Sequence, residues 1–442
     1  MSYLKDGAVA LAVGSLLISA GLAKAESPAP KLSLDSSVVT LDDAGSEGLL
    51  MQGLDKVGAG KTLKDMGINV YGWVEAGYTA NLRNNSDMSS RPGPFTTEPG
   101  NHAMLNQVDL RIERMVDPSK GKFDVGGMVE FVEGTDSNWD QMNGMEIQTN
   151  GSKGLGADDN TGEIPILDIT QAYVDVAVPI GSGLKVRAGR FVTLLSYETI
   201  APGNNPFYSH SYLFGFVPFT QTGVLGFYNL NDQWRVVGGV TRGWDQGTED
   251  NNGGVDFLGQ VAWTPSKAMQ LVVNLSVGPQ NANAAALGFT DAPARYATDN
   301  AHYRTTIDPV LTYQVNDKLK VAAEALYTYD GGYNATGGVN GTPRSYGDVW
   351  GAAGYISYAL NDMFTLNGRL EGVHPYTNGS TTNVFEVTAG VTITPLPKDE
   401  IGKNLKLRPE IRYDYAEDPI FSAGNRTFKD NWTAGADVIF TF

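Results

Sequence analysis

The last twelve residues, Asn431 to Phe442 (N-W-T-A-G-A-D-V-I-F-T-F), alternate between two faces up to the end of the chain. Trp432, Ala434, Ala436, Val438, Phe440 and Phe442 fall on one side of an extended strand; Thr433, Gly435, Asp437 and Thr441 share the other with only Ile439 apolar. One face suits hydrocarbon and the other suits water. A single strand of this kind leaves its backbone N–H and C=O groups open, but many of them closed into a ring pair every one, which is the condition for β-structure to sit in a bilayer.

The pattern repeats from Ile68 onward in segments of about 10 to 14 residues, the length a tilted strand needs to cross a membrane. In Ile68 to Leu82, Val70, Val74, Ala76, Tyr78, Ala80 and Leu82 oppose Asn69, Glu75, Thr79 and Asn81. Val108, Leu110 and Ile112 oppose Gln107, Asp109, Arg111 and Glu113; Phe123, Val125, Val129 and Phe131 oppose Asp124 and Glu130; Ala172, Val174 and Val176 oppose Gln171 and Asp175. Twelve further segments follow, at 184–196, 219–229, 234–244, 255–264, 268–278, 302–315, 319–330, 348–359, 364–374, 384–394, 405–416 and 431–442. With the first four they make sixteen, an even number, which puts both ends of the barrel chain on one side.

Alternate links between these segments are short turns, such as 179–183, 264–267 and 315–318, and the links between them are long, polar and rich in Gly, Asn and Asp, such as 83–102, 134–165 and 279–301. Short periplasmic turns and long extracellular loops are the asymmetry of outer-membrane barrels. Aromatic residues on the outward faces form two bands: Phe123, Trp234, Trp263, Tyr313, Phe364 and Phe442 near the short turns, and Tyr78, Phe131, Tyr303, Tyr329, Tyr415 and Trp432 near the long loops. A soluble sandwich shares the alternation and the turn chemistry, but it does not account for inward charges on almost every strand or for long loops on one rim only. The fold class expected is therefore all-β, a transmembrane antiparallel up-and-down barrel of about sixteen strands.

Three places resist the pattern. Pro309 and Pro409 fall inside expected strands, where a missing N–H predicts a bulge or an early strand end. Arg190 breaks the parity of Leu184, Val186 and Ala188, which predicts a bulge in the fifth strand. The facing of the sixth strand is ambiguous from sequence.

Met1 to Ala25, with an apolar run from Ala8 to Leu22 and Ala23-Lys24-Ala25 as a small-x-small site, reads as a cleaved signal peptide. Glu26 to Gly67 lacks strand alternation and is expected to form a periplasmic extension, with a short amphipathic helix within Gly48 to Met66, ahead of a barrel from Ile68 to Phe442. Glycine is plentiful, 53 of 442 residues, while the mean hydropathy of −0.21 cancels lipid-facing against lumen-facing positions and so says nothing against a barrel.

The chain has no cysteine, which removes thiolate metal sites, thiolate nucleophiles and disulfides. Its formal charge of −17 becomes −18 once Lys5, Asp6 and Lys24 leave with the signal peptide, and argues against nucleic acid as a partner. His102, His210, His302 and His374 are scattered in or beside long links without catalytic or ligand spacing, so no catalytic residue, metal site or cofactor is assigned. Gly58 to Thr62 (G-A-G-K-T) fails as a phosphate loop because Asp55 stands where its first glycine belongs. Asp136-x-Asn138-x-Asp140 and Asp158-Asp159-Asn160 lack the glycine and glutamate of a calcium hand and read as solvated acidic loops.

The link from Ser196 to Phe219 is too apolar for a loop in water, carrying Tyr197, Phe207, Tyr208, Tyr212, Phe214 and Phe216. It needs a burial place, either the lumen or a contact with neighbouring loops or another subunit. In a sixteen-stranded barrel the available place is the lumen, which makes Phe207, Tyr208, His210, Tyr212, Phe214 and Phe216 a constriction loop. The polar faces nominate Glu75, Asp109, Arg111, Glu113, Glu130, Arg187, Arg304, Asp308, Glu324, Arg369, Glu371, Lys406, Arg408, Glu410, Arg412 and Asp414 as pore-lining residues.

Ile68 to Leu82 (INVYGWVEAGYTANL), Gln171 to Asp175 (QAYVD) and Gly183 to Val224 (GLKVRAGRFVTLLSYETIAPGNNPFYSHSYLFGFVPFTQTGV), with the terminal phenylalanine, resemble the outer-membrane porins of the OmpL-like type over about Gly67 to Phe442. The resemblance implies a passive diffusion pore inserted by the barrel assembly machinery through a C-terminal aromatic signal, here Phe440 and Phe442. It brings no substrate.

The expected function is a porin for small hydrophilic solutes and ions in the outer-membrane lipid of a Gram-negative-type bacterium. The alternative is a plugged barrel acting as an anchor or adhesion platform. Fold-level analogy suggests a homotrimer, with Gly72, Ala76 and Ala80 as its small outward residues. Thirteen lumen-facing acids against ten bases imply a weak cation preference that fades with salt, unless Lys406, Arg408 and Arg412 line the narrowest point and favour anions.

Overall fold

A computed structural model describes residues 48–82, 101–142, 145, 166–250, 252–280, 303–330, 349–374, 382–423 and 426–442. The expected signal peptide, the first part of the extension, His302 and the Asp158–Asn160 run lie outside the described residues. Two short helices, α1 (Leu49–Lys56) and α2 (Gly60–Asp65), stand in place of the single expected helix, separated where Gly58 adopts φ +83°. Fourteen strands follow in order: β1 (Ile68–Asn81), β2 (Ala103–Arg114), β3 (Asp124–Gly134), β4 (Ile166–Val178), β5 (Leu184–Val192), β6 (Thr220–Asn229), β7 (Trp234–Thr241), β8 (Asp256–Ser266), β9 (Met269–Gly278), β10 (Arg304–Asn316), β11 (Leu319–Asp330), β12 (Val349–Ala359), β13 (Phe364–His374) and β14 (Val384–Ile393). β15 (Leu405–Leu407) and β16 (Glu410–Ala416) are two pieces of one spanning strand, β17 (Phe421–Ala423) and β18 (Arg426–Phe428) form a separate hairpin, and β19 (Asp430–Thr441) ends the barrel.

Each spanning strand pairs antiparallel with its sequence neighbour, and β19 closes the ring on β1, from Trp73 opposite Thr441 to Asn81 opposite Thr433. Counting β15 and β16 together, the 17-stranded sheet is a closed barrel of sixteen spanning strands. The turns that set this register reuse one device. Asn231, Asn316 and Asn361, each followed by Asp, accept the N–H groups two and three residues on with their side-chain oxygens, at 2.8–3.1 Å. These Asx turns pre-form the hairpins β6–β7, β10–β11 and β12–β13.

The period-two faces follow the sequence closely. Val438, Trp432 and Tyr78 are more than two-fifths exposed on the outside, whereas Asp437 and Ile439 are buried inside. On β6, Gln221, Leu225 and Phe227 turn inward and Val224 outward, which resolves the ambiguous strand. Pro409 interrupts its strand as expected, with the register to β19 preserved on both sides. Pro309, in contrast, causes neither the expected bulge nor a strand end: β10 runs through it in unbroken register with β9, and the missing N–H shows only as the absence of pairing to β11 at Asp308 and Pro309.

The expected bulge in the fifth strand is corrected. β5 keeps continuous register with both neighbours, and the irregularity is Gly189 at φ +137°, beside an Arg190 that reaches Asp168 at 3.1 Å. Register shifts fall instead in β2, where the pairing skips Asn106, and in β4, where Glu130 opposes Gln171 but Val132 opposes Asp168. A bulge lets consecutive residues share a face, and here Asn106 with Gln107, and Thr170 with Gln171, are buried together.

The closure seam depends on Gly72. Its backbone exchanges hydrogen bonds with Phe442 at 3.1 and 2.9 Å, and a β-carbon there would collide with the Asp109 carbonyl and meet the Phe442 ring at 3.1 Å. Gly72 is accordingly covered by the chain's own terminus and not open to a neighbouring subunit. We expect Gly72→Val to lower stability by about 1–3 kcal/mol, read as a reduced urea midpoint in detergent micelles, while Gly354→Ala, with no atom within 4 Å of its new methyl, leaves the midpoint unchanged or higher.

Candidate functional site

Residues 193–219 leave β5 and cross the inside of the barrel before rejoining the wall at β6. A loop inside a barrel has no ladder to pair with, so its backbone groups need donors and acceptors from the wall. Acids of the far wall supply the acceptors. Glu371 takes the N–H groups of Tyr212 and Leu213, both at 2.7 Å, and Glu410 takes those of Tyr208 and Ser209 at 2.9 and 3.2 Å. Arginines supply the donors: Arg369 to the Ser209 carbonyl (2.7 Å), Arg412 to that of His210 (2.6 Å), and Arg408 to those of Pro202 (2.8 Å) and Asn205 (2.7 Å).

The same arginines are neutralised where they stand. Arg408 bridges Glu75 (3.2 Å) and Asp437, Arg412 meets Asp414 (2.7 Å), and Arg369 lies between Glu386 (2.9 Å) and Glu198 (2.8 Å). Charges buried this deeply are tolerated only when paired and hydrogen-bonded. Glu198 also accepts the Ser211 N–H and the Tyr355 hydroxyl and contacts His210 Nδ1 at 3.0 Å. Tyr212 reaches Asp414 through its hydroxyl at 2.7 Å.

The bulged strands hold the near side. Tyr208 donates through its hydroxyl to Asn106 (3.1 Å), and Gln107 donates to the Ile200 carbonyl and to Asp136, both at 3.0 Å. Tyr208 can approach this wall because Gly77 has no side chain in its way. On the other side the loop is apolar: Leu194, Leu195, Leu213 and Val217 pack with Leu225, Phe227, Val237, Leu258 and Leu326, inward residues of β6, β7, β8 and β11.

Of the residues expected to form the constriction, Phe207, Tyr208, His210, Tyr212 and Phe214 are buried inside the barrel, and Phe216 is half-buried. Phe216 lines a cavity of about 270 Å³ with Phe219, Trp244, Gln280, Arg304 and Thr328. Of those expected to line a pore, Arg111, Glu113, Arg304 and Lys406 keep partial exposure. Glu75, Asp109, Glu130, Arg187, Asp308, Glu324, Arg369, Glu371, Arg408, Glu410, Arg412 and Asp414 face inward but are buried by the loop and by one another. Arg111 pairs with Glu130 (2.6 Å) and Arg187 with Asp175 (2.8 Å).

The region 67–442 matches the model of the family described as "Putative beta-barrel porin-2, OmpL-like". The chain belongs to this family. No curated protein matches it. Among solved structures it is similar to OmpF of Salmonella typhi in a complex with daunomycin (13% identity, TM-score 0.54, covering 85% of this chain and 97% of the other). OprB of Pseudomonas putida aligns at 13% identity and TM-score 0.52, covering 88% and 97%, and the channel DcaP of Acinetobacter baumannii at 13% and 0.50, covering 85% and 97%. At these identities the likeness shows the fold. Family and fold together place this porin in the outer membrane of a Gram-negative bacterium.

Three groups in this porin escape a reading by sequence. Glu198 is the one acid of the inward loop, and nothing in its neighbours marks it as the partner of Arg369. Asn106 and Gln107 share a face only because of the bulge. Asp136 and Asp140 are not free loop acids: Asp136, half-buried, is held by Asn106 and Gln107 at 3.0 Å, and Asp140, buried, accepts from Thr170 at 3.2 Å.

The acids outside the strands give the site a pH dependence. Burial alone would raise Glu198, but Arg369 and the contacts from His210 and Ser211 hold it at about 2. Burial pushes Asp140 up to about 7 against Arg190 and Thr170, and Asp245 up to about 6 against the Thr220 and Phe219 N–H groups. A depressed carboxyl stabilises the fold above its unfolded value and loses that contribution as pH falls; a raised one contributes most at low pH and loses it as pH climbs through the folded value. We therefore expect thermal stability to peak near about pH 4 to 5 and to decline toward pH 8, with Asp140→Asn flattening the upper part of the decline in scanning calorimetry. Glu371→Ala strips the acceptor from two buried N–H groups and is expected to cost about 1–3 kcal/mol, seen as a lower urea midpoint.

Proposed function

We propose that this porin is a narrow passive diffusion channel for small hydrophilic solutes and ions, constricted by residues 207–216. The observation that carries this reading is the fixing of that loop across the lumen by Glu371, Glu410, Arg369, Arg408 and Arg412. Its orientation follows from the sequence, with the long connections outward and Phe440 and Phe442 offered to the assembly machinery.

A weak cation preference goes with it. Arg408 and Arg412, the basic residues best placed to favour anions, spend their charge on Glu75, Asp437 and Asp414 and on loop carbonyls. Glu198 adds one acid to the expected thirteen, and Asp168 with Arg190 adds one of each sign, so fifteen acids face eleven bases. Charge of this kind is screened within about 3 Å at 1 M salt, so the preference fades as salt rises. A homotrimer remains part of the proposal, with Ala76 and Ala80 outward on β1 and Gly72 removed from the contact.

The plugged-barrel reading draws support from one observation: the apolar residues of the inner wall on β6 to β12 are buried, with Leu225, Leu258 and Ala262 wholly so. Planar-bilayer recording separates the two. Discrete conductance steps that grow on deletion of 207–216, with cation-side reversal potentials in a low-salt KCl gradient, are the expected result. Purified protein giving no steps would replace the channel with the anchor.

A further inference from the structure

Asp308 on β10 and Glu324 on β11 are the one place in the described lumen where two buried carboxylates meet without a base. Val310 opposes Glu324 in the register, so Asp308, two residues before Val310 on the same face, is a diagonal neighbour of Glu324. Both are at most 2% exposed, and neither forms an ion pair with a Lys, Arg or His among the described residues. Asp308 satisfies one oxygen, which accepts the Ser196 N–H at 2.6 Å and the Asn274 amide at 3.0 Å. Its other oxygen and both oxygens of Glu324 lack a well-formed hydrogen bond, although the Tyr197 N–H, the Ser196 hydroxyl and the two carboxyl groups themselves lie within interaction distance of one another.

A third group points the same way. Ser196, the residue at which the inward loop meets this wall, is 2% exposed, and its hydroxyl lies alongside Glu324 without closing a hydrogen bond. A buried hydroxyl and three carboxylate oxygens without well-formed partners are unfavourable if left alone. What they lack in common is a cation. Elsewhere in the lumen the same cost is met by arginine, as at Arg369 between Glu198 and Glu386; here no arginine arrives.

We propose that Asp308, Glu324 and Ser196 form a divalent-cation site of the calcium class at the base of the inward loop. Four hard oxygen donors with a formal charge of −2 suit calcium, which accepts irregular oxygen shells completed by water, better than magnesium, which holds out for regular octahedral geometry. No set of three or more His, Asp or Glu side chains in metal-binding arrangement exists among the described residues, so the site is a weak one, in the range of about 10⁻⁴–10⁻³ M. Because Ser196 belongs to the loop and the two acids to the wall, the ion ties one to the other. This inference rests on the barrel interior and not on conduction.

The test uses the full-length protein refolded in detergent free of lipopolysaccharide. Millimolar calcium is expected to raise the unfolding midpoint of the wild type over that in chelator, and terbium is expected to show emission sensitised by Tyr197, displaced by calcium. Glu324→Gln removes one unpaired charge, so it is expected to match or exceed the wild type in chelator and to lose both responses; Asp308→Asn is expected to lose them as well. Ser196→Ala is expected to weaken calcium binding severalfold without abolishing it. A wild type that ignores calcium and binds no terbium overturns the proposal, and so does a calcium response that survives in Glu324→Gln, since the ion then sits elsewhere. Stabilisation by acid alone, with no calcium response, identifies a proton shared by the two carboxylates and overturns it equally.

Discussion

The lumen of this porin is organised by one requirement, that the backbone of an irregular loop inside a barrel find partners where no ladder exists. Four N–H groups at 208, 209, 212 and 213 go to two carboxylates, and carbonyls at 202, 205, 209 and 210 go to three guanidinium groups. On β13 (Arg369, Glu371) and on β15–β16 (Arg408, Glu410, Arg412, Asp414) the inward bases and acids are spaced by two, so each strand presents donors and acceptors in alternation. That spacing is near enough to the repeat of an extended or turning chain for the loop to be gripped at successive residues.

The interior is consequently divided into two halves with different physics. The charged half, around β13 to β19 and β1 to β2, holds the loop by hydrogen bonds whose strength comes from the low local dielectric, and each arginine there is paired with a carboxylate before it touches the loop. The other side, β6 to β12, holds the loop mainly by burying Leu194, Leu195, Leu213 and Val217, with Asp308 taking the Ser196 N–H. The loop must be amphipathic for this, which is why its sequence looks wrong for a segment in water. Glycine makes the fit possible where an aromatic ring meets the wall, as Tyr208 does at Gly77.

Bulges carry the remaining precision. A regular strand gives each face every second residue, and the bulges in β2 and β4 break that rule where two inward amides are wanted. Gln107 uses the freedom to join Asp136 to the Ile200 carbonyl, tying the 134–142 segment to the inward loop. Arg190, turned by Gly189, does the corresponding work for Asp168 and the Asp140 carbonyl.

Sixteen strands, the faces of all but the sixth, the short turns and the need to bury residues 196–219 are legible in local pattern: alternation with period two, short polar links between alternate segments, and apolar residues where a loop should be polar. The sequence also flagged Arg190 and Pro409 as breaks, though not how each break would be resolved. Which residues meet is set by the closed barrel and its inward loop. Parity tells which side of the wall Arg408, Glu371 or Asp414 faces, but not that a loop some 160 to 200 residues away in sequence, at 202–213, covers them and turns a wall facing water into a support for backbone groups. Likewise, Leu225 and Leu258 read as misplaced on an inner face until the loop's apolar side is set against them. Period is a property of one strand, whereas burial is a property of two surfaces in contact, and the second surface is fixed only when the barrel closes.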